Sequence, residues 1–393
     1  METRLKTIEI QAHLATFRKS VSREEAVHLY LDIQNTHKEH IIDVKRRVEQ
    51  VYRFETPDRP VFQFDVKGFI YEKSDWVRTD DDHVLDRGLQ NIVYKMESMP
   101  DSDFVPLLPT GFDRSDLIPR MFGVTFDYPD DGSVLQHFNL IEKLPGDLGK
   151  LSSVDVTQSD VWREVVERVS FLVEATQEQV HIAYPQMQGP LTNAARLMEH
   201  SEMLMACLTD PDSMRIIANT WSDTASRLIR TLQKDVGDPT LLRPRTRFFQ
   251  PSQVKGLIVG DYLCIMDPEQ YYDICVESWE ILYRTLGPIF YHTCGPVIQT
   301  LDVLKRLPGL AGFECTYIRE QSGKTSDIAR VKAGLDGKIV LHHFVWPLGG
   351  AVEDRENLTT EWLRMMGEGG GFMMHDSGTA EEGRELFEKL GLA

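Results

Sequence analysis

Eight short apolar runs recur along the chain, separated for the most part by longer stretches of helical character, and this alternation constrains the fold more than any other feature. The runs are PVFQFDV (60–66), DFVPLL (103–108), QVHIAYPQ (179–186), GLIVGDYL (256–263), PIFYHTC (288–294), GFECTY (312–317), KIVLHHFV (338–345) and GFMMHD (371–376). Helical spacing is carried by 159–178, 213–234, 267–286, 296–307 and 359–368. Strands that alternate with helices pair in parallel through helical crossovers, and eight repeats suit a closed barrel better than an open sheet. The expected fold class is α/β, a single (β/α)8 TIM-type barrel over residues 56–393 with an N-terminal helical extension over residues 1–55.

The extension rests on SREEAVHLYLDIQNTHKEHIIDVKRRVEQVYRF, where Val27, Leu31, Ile41, Val44, Val48 and Val51 fall at helical intervals until PDRP breaks the pattern. It reads as a cap placed ahead of the main fold. Helix starts are encoded locally: Ser159 or Asp160 can cap one helix, and Asp267-Pro268-Glu269 supplies a cap, a first-turn proline and an acid for another.

Acidic residues outnumber basic ones by 61 to 43, a net charge of −18, which opposes binding to nucleic acid or to an anionic membrane. No apolar run reaches the roughly 18–20 residues of a membrane span, and the first residues lack the apolar core of a secretory signal. A cytoplasmic location is expected. The five cysteines form no dense even-numbered framework, so they are expected as thiols or ligands.

In parallel barrels chemistry collects at the carboxyl ends of the strands. Asp65 stands there in the first run, Tyr184, Gln186 and Gln188 at or just beyond the third, Asp261 in the fourth, His292 and Cys294 in the fifth. Glu314 and Cys315, His342 and His343, and His375 with Asp376 follow in the last three. His292 and Cys294 lie two apart in YHTCG, hence on one side of a strand, and a thiolate with an imidazole suits zinc. A packed histidine beside a buried thiol is the competing reading. A third ligand has to come from another strand; Asp261, Glu314, Cys315 and His375 are the candidates, with Glu314 and Cys315 facing opposite ways.

Tyr184, Tyr291 and Trp346 can line a pocket by stacking or cation–π contact, against the alternative that they are core. Gln186 and Gln188 can orient a substrate through their amides, one of His342 and His343 faces inward, and Asp65 and Asp261 are candidate proton-handling groups. Arg243, Arg245 and Arg247 in LLRPRTRFF can meet a carboxylate or phosphate, with a solvated loop as the plainer explanation.

With these residues in view, the chain after residue 45 resembles the uroporphyrinogen decarboxylase-like superfamily, which includes zinc-dependent corrinoid and coenzyme M methyltransferases. The carriers are RVEQVYRFETPDRPVF, RMFGV, QGPLTNAARLM, DPDSMRIIANTWSD, GDYLCIMDPEQYYDICVES and FYHTCGPVIQTLDVL. The resemblance implies the barrel with its helical extension. It also implies zinc on His292 and Cys294, which match the His-x-Cys-Gly motif of the methyltransferase branch. FDVKGF (64–69) stands where true decarboxylases carry an arginine-rich motif for a polycarboxylated tetrapyrrole, so that substrate is not expected. GGGFMMHDSGTA (369–380) lacks the last cysteine ligand of the methyltransferases, which leaves His375, Asp261 or Glu314 to take its place.

The resulting expectation is a zinc-assisted methyltransferase. It would move a methyl group between a small methoxylated aromatic or methylamine substrate and a corrinoid carried by a partner protein. No corrinoid-binding Asp-x-His-x-x-Gly motif occurs in the chain itself, and a homodimer is compatible with the sequence. The alternatives are a metal-independent decarboxylase or lyase using Asp65 or Asp261, and a non-catalytic barrel protein.

Overall fold

A computed structural model describes residues 23–66, 81–112, 116–127, 135–137, 139–238, 240–246, 248–316, 328–335, 337–344 and 370–392. Each of the eight expected strand segments is present, several of them shortened. They are β1 (Phe62–Val66), β2 (Leu108–Pro109), β5 (Ile182–Ala183), β7 (Gly256–Val259), β8 (Ile289–Thr293), β9 (Leu310–Thr316), β10 (Val340–Phe344) and β11 (Phe372–Gly378). A hairpin, β3 (Phe126–Asp127) with β4 (Leu135–Gln136), and a short strand β6 (Leu242–Arg243) complete the set.

Six strands form one parallel sheet in the order β1-β11-β10-β9-β8-β7, and β2-β5-β6 form a second parallel sheet. Among the described residues no strand ladder joins the two. Polar ties do: the Asp103 amide donates to the Phe62 carbonyl at 3.0 Å, Ser102 Oγ accepts from the Phe64 amide at 2.8 Å, and the Tyr184 hydroxyl donates to the Lys255 carbonyl. β6 lies in the arginine-rich stretch that had looked like a solvated loop; it pairs with β5, and Arg243 is buried there.

Strands covered on both faces read as continuous apolar runs, and β1 and β8 are buried at four of their five positions. Helices Asp160–Ala175 and Pro268–Leu286 pack on the sheets, and helix Pro211–Asp235 packs against both of them. Ser159 accepts from the Trp162 amide at 3.1 Å and Asp267 from the Gln270 amide at 3.0 Å, so the local caps form as their sequences require. The helix expected over 296–307 is instead a 3-10 turn, Ile298–Thr300, followed by Leu301–Leu304. The expected helix at 359–368 lies outside the described residues.

The extension comprises helices Arg23–Thr36 and Lys38–Tyr52, and it does more than cap the fold. Tyr52 projects inward: its hydroxyl donates to Gln250 Oε1 and lies 3.2 Å from His342 Nε2 on β10. Gly312 on β9 makes room for it, since a Cβ there would collide with the Tyr52 hydroxyl and the Phe290 ring. Arg47 binds the buried Asp103 carboxylate at 2.7 Å, and the same carboxylate takes Arg59 at 2.8 Å and the Phe62 amide at 2.8 Å. Helix, β1 and the segment leading to β2 are thereby locked together.

Candidate functional site

A cavity of about 390 Å³ opens between the two sheets near the carboxyl ends of the strands. Its wall takes Asp65 from β1, Ala183 from β5, Val259 from β7, His292 from β8 and Glu314 from β9; Phe104, Phe249 and Phe290 supply its aromatic surface. Its volume and its mix of apolar walls with a few convergent polar groups are those of a small-molecule site.

On one side stand Glu314, His292 and Cys294. β8 and β9 pair in parallel with His292 opposite Glu314, which brings the carboxylate to the imidazole. Glu314 Oε1 lies 2.6 Å from His292 Nδ1, and His292 Nε2 lies 3.4 Å from Cys294 Sγ. Burial disfavours charge on His292, but the adjoining Glu314 carboxylate and the bond to Cys294 outweigh it and hold the imidazole pKa up at about 10. Cys294 is the exposed cysteine of the five. Burial pushes Cys315 up to about 12 and Cys264 up to about 11, so both are protonated thiols at neutral pH.

Asp261 holds this strand end in shape. Its carboxylate accepts from the Thr293 hydroxyl at 2.7 Å and the Cys294 amide at 2.6 Å, while its carbonyl accepts from the Cys264 amide at 2.8 Å. These bonds give Asp261 a positioning role at the strand end.

Across the cavity, Asp65 Oδ1 binds Lys95 Nζ at 2.9 Å and its Oδ2 pairs with His375 Nε2 at 3.0 Å. Burial works against the charge on Asp65, but Lys95 and His375 prevail and hold its carboxyl far below the usual carboxylate range. His375 therefore serves Asp65 and not His292: β11 lies three strands from β8, with β9 and β10 between them.

Two predicted aromatic contacts fall elsewhere. Tyr184 and Tyr291 are buried core residues, the first donating to Lys255 and the second to the Gly260 carbonyl at 2.6 Å, with Tyr291 packed on Trp279 and Phe313. Their rings fill space between strands and helices, so neither belongs to the cavity wall. Gln186 lines the cavity; Gln188, held at φ 58°, does not. The side chain of His343 and all of Trp346 lie outside the described residues.

Sequence reasoning missed Lys95 and Asn91, which reach the cavity from helix Asp81–Ser98, and Thr246 beyond β6. No local pattern marks a helical lysine as the partner of a strand aspartate thirty residues earlier; only their juxtaposition in the fold reveals it. Arg245 of the basic cluster also lines the cavity.

Among the described residues no group of three or more His, Cys, Asp and Glu side chains is placed to hold a metal ion. The donor pair itself fits zinc. Sulfur at about 2.3 Å and nitrogen at about 2.0 Å on a tetrahedral ion stand about 3.5 Å apart. The Nε2 to Sγ separation of 3.4 Å matches that spacing. A carboxylate on the far ring nitrogen, the place Glu314 occupies, is the usual companion of a metal-binding histidine. Glu314 stands in that place behind His292.

Fold and site define an α/β protein with parallel sheets and a polar cavity at the carboxyl ends of the strands. No protein-family model, no curated protein and no solved structure matches the chain. Among the described residues no helix is long and apolar enough to cross a membrane.

Proposed function

We propose that the chain is a zinc-assisted methyltransferase. It moves a methyl group between a small methylated substrate in the cavity and a corrinoid delivered by a partner protein, on a (β/α)8 barrel of the uroporphyrinogen decarboxylase-like kind. The observation that carries this reading is the row Glu314–His292–Cys294, with two soft donors at zinc-ligand spacing and a carboxylate behind the imidazole. His292 and Cys294 would hold the ion, with its remaining positions open to a further ligand and to substrate. When bound, zinc supplies a Lewis acid that polarises the heteroatom bearing the methyl group, or stabilises an accepting thiolate.

The chain's own groups do the rest. Glu314 accepts the Nδ1 proton of His292 and so keeps Nε2 on the Cys294 side, where it would hold the ion once its own proton is displaced. Asp261 fixes the Cys294 amide, which sets where the Cys294 side chain points. Phe104, Phe249 and Phe290 exclude water and give the substrate an apolar seat, while Asn91 and Gln186 offer amides for its polar end.

The rival reading, a metal-independent decarboxylase or lyase, has Asp65 or Asp261 as its proton-handling group. Asp65 is held ionised by Lys95 and His375, and the Asp261 carboxylate is engaged with Thr293 and Cys294. Asp65 is thereby disfavoured as an acid.

Elemental analysis of anaerobically purified protein tests the proposal, with His292→Ala and Cys294→Ala alongside. About one zinc per chain, lost in both folded variants, is the expected result. Stoichiometric absence of metal after purification and zinc reconstitution would overturn it.

A further inference from the structure

Arg243 is 94% buried in β6, yet among the described residues its side chain bonds to no carboxylate: Nη1 donates to the neighbouring Leu242 carbonyl at 3.1 Å, Nε has no partner, and Asp238 acts on it through charge alone. Two more basic side chains approach the same Phe249 ring. The Lys45 ammonium, from helix Lys38–Tyr52, stands 2.9 Å from His181 Nε2, just ahead of β5. Arg243 and Lys45 both lie against the Phe249 ring, at 5.4 and 5.2 Å from its centre, and the His181 ring is 5.2 Å from it. The nearby acid Asp238 is occupied by the Thr240 amide at 2.7 Å and hydroxyl at 2.8 Å.

Burying a guanidinium without an anionic partner is costly, and placing an ammonium beside it adds repulsion. Such clusters are normally relieved by a carboxylate, and among the described residues none bonds to any of the three groups. Burial first, and then the charges of Lys45 and Arg243, push His181 down to about 3 against the opposing pull of Asp238, so it stays neutral beside Lys45.

We infer that Lys45, His181 and Arg243 form a binding site for a tetrahedral oxyanion, either inorganic phosphate or the phosphoryl group of a small metabolite. Arg243 offers the planar donor fork suited to such a group and Lys45 a mobile point charge. The site is separate from the His292–Cys294 pair, but Phe249 belongs to both this cluster and the cavity wall, so an anion bound here braces one side of the cavity. The inference does not depend on the methyltransferase reading.

Isothermal titration and thermal melting with inorganic phosphate test it, against chloride at matched ionic strength. Saturable binding in the wild type is expected, weakened at least tenfold in Lys45→Gln and in Arg243→Gln, with the zinc content of each unchanged. Lys45 is the more exposed of the two, so its variant decides the matter should Arg243→Gln fail to fold. A parallel titration with glycerol phosphate distinguishes the sources: tighter binding than inorganic phosphate assigns the site to a phosphorylated metabolite, and weaker binding assigns it to the free anion. No saturable binding of either probe, or equal binding in wild type and Lys45→Gln, overturns the inference.

Discussion

Glu314 stands between two histidines and acts on them unequally. His292 on β8 and His342 on β10 are both its register partners, but only His292 is bonded to it, at 2.6 Å. His342 is enclosed by the Phe248 and Phe290 rings and held by Tyr52, so burial pushes it down to about 3 despite the same carboxylate. If Glu314 orients His292 for a metal, Glu314→Gln should keep the fold and weaken zinc binding about 10- to 100-fold. Competition with a chromogenic chelator measures this, and unaltered affinity would reduce Glu314 to a structural partner. The pairing of His292 with Cys294 was legible from spacing alone. Glu314 was legible only as a third-ligand candidate, because its true place depends on the β8–β9 register, which no local pattern encodes.

The helices ahead of β1 are part of the core. Arg47 reaches from helix Lys38–Tyr52 to a carboxylate that also receives Arg59 and the first amide of β1, and Asp103 is only 2% exposed. Removing one member of such a buried group strands the others in a medium that solvates charge poorly. Asp103→Ala should therefore cost about 3–5 kcal/mol in urea unfolding. A loss under about 1 kcal/mol would place the pair among solvent-screened contacts and loosen the claimed lock. Helical spacing announced these helices, but Tyr52 and Gly312 became partners only when β9 was laid beside the helix end.

The folded molecule carries two histidines that refuse protons. His181 and His342 ordinarily titrate near 6.5, and both are pushed down to about 3, in each case first by burial. The unfolded chain takes up those protons as pH falls below 6.5 while the folded chain does not. The stability they confer is thus complete above pH 6.5 and is lost progressively toward pH 3. Each contributes a slope of up to about 1.4 kcal/mol per pH unit. His292 runs the other way in the metal-free chain: its contribution is complete below its ordinary 6.5 and disappears as pH rises through about 10. Urea melts of the metal-free protein at pH 7 and pH 4.5 should show the acid loss, reduced in His342→Phe. An identical pH slope in that variant would show that His342 is not among the groups responsible.

Strand and helix segments, their caps and the His292–Cys294 pair follow from the sequence because each depends on neighbours within a few residues: side-chain period, a cap oxygen three positions ahead, two donors on one strand face. The chain's charge likewise argues against nucleic acid without reference to any fold. Only the tertiary structure could decide that Asp65 belongs to Lys95 and His375, that Tyr184 and Tyr291 are core, and that Arg243 is buried beside Lys45. Those outcomes depend on which strands lie side by side and which helix face closes over them. That arrangement is set by the packing of the whole chain, and the energy of a buried charge is settled by partners distant in sequence.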